Sequence, residues 1–371
     1  MKYLDEFRNP QHARQLLKAI RQRATRCWRI MDVCGGQTHN LLRNGIEQSL
    51  EGVIELIHGP GCPVCVTPAE VIDQAIELAG QPGICLMTFA DMLRVPGTKT
   101  SLQAARAHGH QVRMSYSPLD AVKYAREHSD VDVVFLAVGF ETTAPATALA
   151  VKQARQLRLN NFSLLTSHVR VLPAMRQIAF SPECCIDGFL AAGHVCTVTG
   201  YAEYAELAQQ SGLPILITGF EPLDLLQGIR TAVDLLEQGQ IDVINEYSRA
   251  VKEEGNPAAN QLLTDVFEVV DQSWRGLGVL PASGLGLRKD WEEFDARHRY
   301  RLAMNASHSE TKCRSGEVLQ GRLKPGDCAE FGVRCHPGHP LGAPMVSSEG
   351  TCAAYYQYYS LRSDHRSSIS E

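Results

Sequence analysis

No run of apolar residues in this chain approaches the roughly 18 needed to cross a bilayer. The opening MKYLDEFRNP lacks the apolar stretch that a secretory signal carries. Together these absences predict a cytoplasmic protein with no membrane partner. Basic charge is not in surplus either. There are 36 Lys and Arg against 41 Asp and Glu, a formal net charge of −5, so nucleic acid is not expected as a ligand. Neither a GxGxxG fingerprint nor a GxxxxGK[ST] loop occurs, which removes the two familiar phosphate cradles.

Cysteine, by contrast, is plentiful: twelve of 371 residues. In a reducing compartment, clustered cysteines bind metal or do thiol chemistry more often than they form structural disulfides. Cys27, Cys85, Cys184, Cys185 and Cys196 are scattered and are assigned to packing or incidental exposure.

The length predicts two or three domains. Strand-like runs alternate with helical segments: WRIMDV, VIELIHG, GICLMTF, QVRMSYS, VDVVFLAVG, FSLLTSH, IDGFLAAG and LPILITG. Near-continuous apolar strands separated by helices predict an α/β fold with parallel sheets. Gly139-Phe140-Glu141 and Gly219-Phe220-Glu221 each follow such a strand, an echo that predicts two related α/β domains. The expected division is 1–130, 131–270 and a C-terminal region 271–371. Segment 276–286 reads as loop or hairpin. The stretch 313–352 has too few large apolar side chains for a core of its own, so something else should hold it together.

Two cysteine sets stand out. Cys34, in DVCGGQTHN, and the pair Cys62 and Cys65, in HGPGCPVC, fall where strands run out, the edge at which open α/β sheets bind ligands. A helix start there would lower a thiol pKa. His39 and His58 lie close by in sequence as further ligands or proton carriers. The CxxC spacing alone fits zinc, iron or a dithiol–disulfide couple. The later set, Cys313, Cys328, Cys335 and Cys352, suits four-thiolate ligation, with zinc and a [4Fe–4S] cluster both open.

The stretches CGGQTH, HGPGCPVC, TFADMLRVPG, GFETTAP, GFEPLDLLQG, WRGLG and MVSSEGTCAAYY, in this order, resemble the HypD family that matures [NiFe] hydrogenases. The resemblance covers about residues 3 to 357. It implies a scaffold for assembling an Fe(CN)2CO unit, a scaffold with redox activity rather than a turnover enzyme. It implies that iron is held jointly with a small HypC-type partner, with cyanide arriving from HypE and the finished unit passing to the hydrogenase large subunit. It further implies that Cys313, Cys328, Cys335 and Cys352 bind a [4Fe–4S] cluster, making 271–371 a cluster region that could pack back on the first domain. Cys34 then resembles the thiol that holds Fe(II), and Cys62 and Cys65 a redox dithiol. The family pattern reads CGGHTH, whereas this chain has Gln37, which cannot shuttle a proton near neutrality.

Asp91, Arg94, Glu141, Thr142, Thr143, His168, His194 and Glu221 are secondary candidates at strand ends, with Thr142 and Thr143 as helix caps. The competing function is a cluster-dependent thiol–disulfide oxidoreductase acting on a partner protein. A zinc-stabilised interaction protein is the third reading. A monomer is expected.

Overall fold

The computed structural model describes residues 5–303 and 312–367, apart from the side chains of 5 and of 360–367. In chain order its strands are β1 (Trp28–Asp32), β2 (Ile54–His58), β3 (Ile84–Thr88), β4 (Val112–Met114), β5 (Asp132–Gly139), β6 (Phe162–Val169), β7 (Gly188–Ala192), β8 (Ile215–Thr218), β9 (Val243–Asn245), β10 (Phe267–Trp274) and β11 (Gly278–Leu287). They form two sheets, ordered β2-β1-β7-β8-β9 and β10-β11-β6-β5-β3-β4. The first is wholly parallel. In the second, β4, β3, β5 and β6 are parallel and the β10–β11 hairpin adds antiparallel.

The α/β architecture expected from the apolar strands is present. Successive side chains alternate between two buried faces. In the first sheet, Ile30, Leu56, Leu190 and Leu216 pack with Ile20, Leu41 and Ile229 on one side, while Met31, Ile57, Phe189 and Ile217 pack on the other. In the second, Leu86, Val134 and Leu136 face one cluster, and Met87, Phe135 and Leu164 the other. Truncating one of these central leucines to alanine costs about 2–5 kcal/mol.

Each sheet draws strands from both sides of residue 131, so the sheets do not follow the expected cuts at 130 and 270. The chain starts the first sheet, builds the second, returns through β7–β9, and ends the second sheet with the hairpin. The two GFE tripeptides do fall on different sheets, after β5 and after β8. The segment 276–286 is mostly strand β11.

The expected C-terminal cluster-binding domain is not a separate unit among the described residues. With few large apolar side chains, the segment from 312 onward borrows the cores of both sheets. Leu319 joins a cluster of the first sheet, and Ala343 and Val346 one of the second. The closing helix Thr351–Ser367 lies against helix Gly35–Arg43. No helix among the described residues is long and apolar enough to cross a membrane.

Candidate functional site

Parallel register places the site. Asp32 of β1 pairs with His58 of β2 and Leu190 of β7, so the loops after these three strands leave at one edge. Cys34 follows β1, Gly59–Cys65 follows β2, and His194 follows β7. Cys34 is extended and starts helix Gly35–Arg43. Cys62 starts the short helix Pro63–Val66, its sulfur accepting from the Cys65 N–H at 3.3 Å.

The first two loops touch. The Gly35 N–H donates to the Gly61 carbonyl at 2.8 Å. A Cβ on Gly61 would lie 2.2 Å from the backbone nitrogen of Cys34, so only glycine allows the CxxC loop so close. Cys62 and Cys65 are joined as a disulfide, with Cα atoms 5.2 Å apart, and both are buried.

Cys34 is 3% exposed. Its sulfur lies 3.6 Å from His194 Nδ1. Burial drives its pKa up, while the backbone of Gln37 and Gly36 pulls the other way and the charges of Glu349 and Asp32 add to the rise. The thiolate expected from a helix N-terminus is therefore not formed at neutral pH, because desolvation outweighs two N–H dipoles. Burial also pushes His194 down to about 4, leaving its ring neutral. Phe220, from the second GFE, packs on His194, and its ring would lie 3.3 Å from a Cβ on Gly36.

Beneath the loops lies a buried polar chain that the sequence did not reveal. His58 Nδ1 bonds Asp32, Thr38 Oγ1 donates to the other Asp32 oxygen at 2.5 Å, and His58 Nε2 is 3.7 Å from Glu47. Tyr355, on the closing helix, donates to Glu47 at 2.8 Å. Burial alone would lower the His58 pKa, but the charges and hydrogen bonds of Asp32 and Glu47 carry it up to about 10. Glu47 is buried too, yet His58 holds its pKa below the ordinary value. His58 is thus an imidazolium clamped between carboxylates. The one sequence signal was a charged Asp32 following the apolar Ile30 and Met31 at the end of β1.

His39 contacts the C-terminal segment. Its Nδ1 is 3.3 Å from the Ser348 carbonyl and its Nε2 3.0 Å from the Tyr358 hydroxyl. Glu349 lies over Gly35, where a Cβ would meet its carbonyl oxygen at 2.5 Å. Arg94 donates to the Val346 carbonyl at 2.7 Å and lies 3.8 Å from Asp91. These residues fasten the tail over the Cys34 loop.

Gln37 is fully buried. Its amide donates to the Ala191 carbonyl at 3.0 Å and to Thr218 Oγ1 at 2.6 Å, tying β7 to β8.

The other candidates disperse. Thr143 starts helix Ala144–Gln156 without capping it; its hydroxyl donates back to the Phe140 carbonyl at 3.2 Å. Glu221 caps helix Pro222–Gln238 and pairs with Arg8. His168 is buried in β6 against Thr147, and burial holds it at about 4. Cys85 and Cys196 are core residues.

Among the described residues, no group of three or more His, Cys, Asp or Glu side chains converges as ligands of one metal ion. The late thiols nonetheless feel one another. Burial raises Cys352 well above its ordinary value, and the charges of Cys313, Cys335 and Cys328 raise it further. Burial also raises Cys335, against the N–H groups of Leu341 and Gly342. A Cβ on Gly342 would sit 2.1 Å from the Cys313 sulfur, so the missing side chain makes room for that thiol.

A family profile described as HypD: Hydrogenase formation hypA family matches residues 11–359. The chain is similar to the hydrogenase maturation factor HypD of Azotobacter vinelandii, 47% identical over 367 residues covering 96% of this chain and 97% of the relative. It is similar to HypD of Escherichia coli (strain K12), 44% identical over 372 residues, 98% of this chain and 100% of the relative. The hydrogenase expression/formation protein HupD of Azotobacter chroococcum mcd 1 is 47% identical over 367 residues, 96% and 97% respectively.

Proposed function

The chain belongs to the HypD family of hydrogenase formation and maturation factors, and from that premise we propose that it is the scaffold on which an Fe(CN)2CO unit is assembled, with Cys34 as the iron-anchoring thiol. One observation carries this reading: the Gly61 contact sets a soft ligand, Cys34, against a two-cysteine redox pair at one sheet edge. Strong-field ligands favour low-spin Fe(II), for which thiolate is a suitable anchor.

The chain's own residues then have defined tasks. Cys34 must lose its proton to bind iron, and its burial makes that loss depend on the arriving cation. His194 Nδ1, neutral and 3.6 Å away, is placed to relay that proton onward, since at about 4 it does not retain one near neutrality. The Cys62–Cys65 pair is closed here, so it would first take up two electrons and two protons, which the late cluster could deliver one electron at a time; reclosing would return them to an acceptor at the iron site. Because Cys34 is buried, a HypC-type partner must displace covering groups such as Glu349 to share the metal. HypE supplies cyanide, and the hydrogenase large subunit takes the product.

The late thiols suit a [4Fe–4S] cluster. Four sulfurs interact electrostatically, and N–H groups of residues 341 and 342 lie near the Cys335 sulfur. Held by Cys313, Cys328, Cys335 and Cys352, the cluster would supply one-electron redox chemistry.

A second reading, a thiol–disulfide oxidoreductase, is favoured by the disulfide itself. The two part at Cys34, which disulfide exchange does not require. Anaerobic copurification with HypC, with infrared spectroscopy and iron analysis, tests both. The scaffold predicts cyanide and carbonyl stretching bands and about five irons, four in the cluster and one at Cys34. Cys34→Ala should remove the bands and one iron only. An intact pathway giving four irons and no bands would reject the scaffold.

A further inference from the structure

A cleft of about 410 Å³ opens on another part of the molecule, between the β10–β11 hairpin, helix Pro257–Val266 and the loops around Thr199 and Glu253. Leu172, Leu263, Phe267, Val269 and Leu285 give it apolar walls. Glu203, Glu253 and Glu254 stand along it, all exposed. Its lining also includes Glu141, from the first GFE, which is only 5% exposed.

Glu141 Oε1 accepts from the Val171 N–H at 3.0 Å, while Oε2 is buried with no partner among the described residues. Among the described residues the only cation lining the cleft is Arg170, whose guanidinium already donates to the Ala282 carbonyl at 3.1 Å and to Glu203 at 3.2 Å. A buried carboxyl oxygen without a donor is costly, and a native structure keeps one only for a reason. Among the described residues no side chain donates to Oε2. The walls suit an alkyl chain ending in a hydrogen-bond donor.

We propose that this cleft binds an organic cation on an alkyl stem, an ammonium or guanidinium of the kind lysine and arginine carry, with Glu141 as its acceptor. The stem lies along Leu263 and Phe267, and the cation meets Glu141 past the acidic residues of the cleft; because Oε2 is closed off in the unliganded chain, the Glu141 side chain turns to present it. Burial brings Glu141 up to about 7, opposed by its own backbone N–H, the Val171 N–H and Arg170, with Glu203 adding to the rise. The buried thiol of Cys196 and hydroxyl of Tyr204 lie beside it and stay protonated. Cation binding near neutrality should therefore expel a proton from Glu141. The inference does not rest on the iron-assembly reading.

Calorimetric titration of the full chain with butylammonium, butylguanidinium, butanol and butyrate tests it. Both cations should bind about ten-fold or more tighter than butanol or butyrate, the scale of a buried charge-assisted hydrogen bond. Heats in buffers of different ionisation enthalpy should show proton release. Glu141→Gln keeps an acceptor for Val171 and should abolish both the cation preference and the proton release. Thr264→Trp, an exposed position at the cleft, leaves Glu141 intact and should block binding sterically. A capped Ala-Lys-Ala peptide that binds tighter than butylammonium would identify a polypeptide side chain as the source; a weaker one would identify a free small cation. Butanol binding as well as the cations, cation binding untouched by both variants, or no binding of either cation would each overturn the proposal.

Discussion

At the edge of the first sheet, Cys34, Cys62 and Cys65 take their positions from strand register, whereas the four late thiols lie on a segment with no strand of its own. The early loops start where β1 and β2 stop, and the Gly61 contact locks one to the other. Among the described residues, the late segment has the short helix Ser315–Leu319, two 3-10 turns, the closing helix Thr351–Ser367 and apolar contacts borrowed from both sheets. Rigid thiols suit custody of a guest metal. Thiols on a core-poor segment suit a group that itself holds the segment together. His58 joins the two regions, because its partner Glu47 is also the acceptor of Tyr355 on the closing helix.

The contrast breaks most visibly at the late thiols. If the late thiols hold the proposed cluster, Cys352→Ser should remove it and open the chain to limited proteolysis between 312 and 350, while Cys34→Ser leaves that protection intact. Equal protection in the two variants, measured by cleavage rate, would mean that the tail needs no metal.

Next in size is Gly61→Ala, which drives a methyl into the Cys34 backbone and should cost about 3 kcal/mol of overpacking. Denaturant unfolding checks it, and a neutral result would remove the close approach on which the site depends.

Tyr355→Phe leaves the buried Glu47 short of one donor and should cost about 1–3 kcal/mol. The same network sets a pH response. The folded pKa of His58 stands near 10 against an ordinary 6.5, so its stabilisation is complete below 6.5 and lost as pH rises toward 10. Urea midpoints across that window should fall, and less steeply in Asp32→Asn, which removes the charge opposite His58. A slope unchanged by that substitution would assign the alkaline loss elsewhere.

Arg322→Ala should be the mildest. Its pair with Glu183 joins the late segment to the first sheet's side through an exposed contact worth about 0–1 kcal/mol. A larger loss in thermal unfolding would show that surface charge, not metal and packing, fastens the tail.

Much of the fold was legible because the central strands are apolar on both faces: β1 to β8 all coincide with runs visible in the sequence. Strand β9 and the outer strand β10 were missed, since both are polar or half-exposed and lack such a run. Helix Thr351–Ser367 was hidden by a tyrosine-rich stretch with little amphipathic contrast. At the site, the three early thiols were readable from glycine and spacing. Asp32, Glu47 and Tyr355 were not, because they meet through residues far apart in the chain. His39 and Gln37 turned out to hold the tail and the strand ends. Glu141 and Glu221 share a tripeptide, yet one is buried and half-satisfied while the other caps a helix and pairs with Arg8.

The sequence by itself determined which apolar segments become strands, that Cys34, Cys62 and Cys65 share one sheet edge and which family the chain resembles, because apolar run length and local motifs are short-range properties. Only the tertiary structure decided that both sheets interleave along the chain, that Cys34 is a protonated buried thiol and that the tail closes over it. Those outcomes depend on desolvation and on contacts between distant residues, and neither is written in any local stretch.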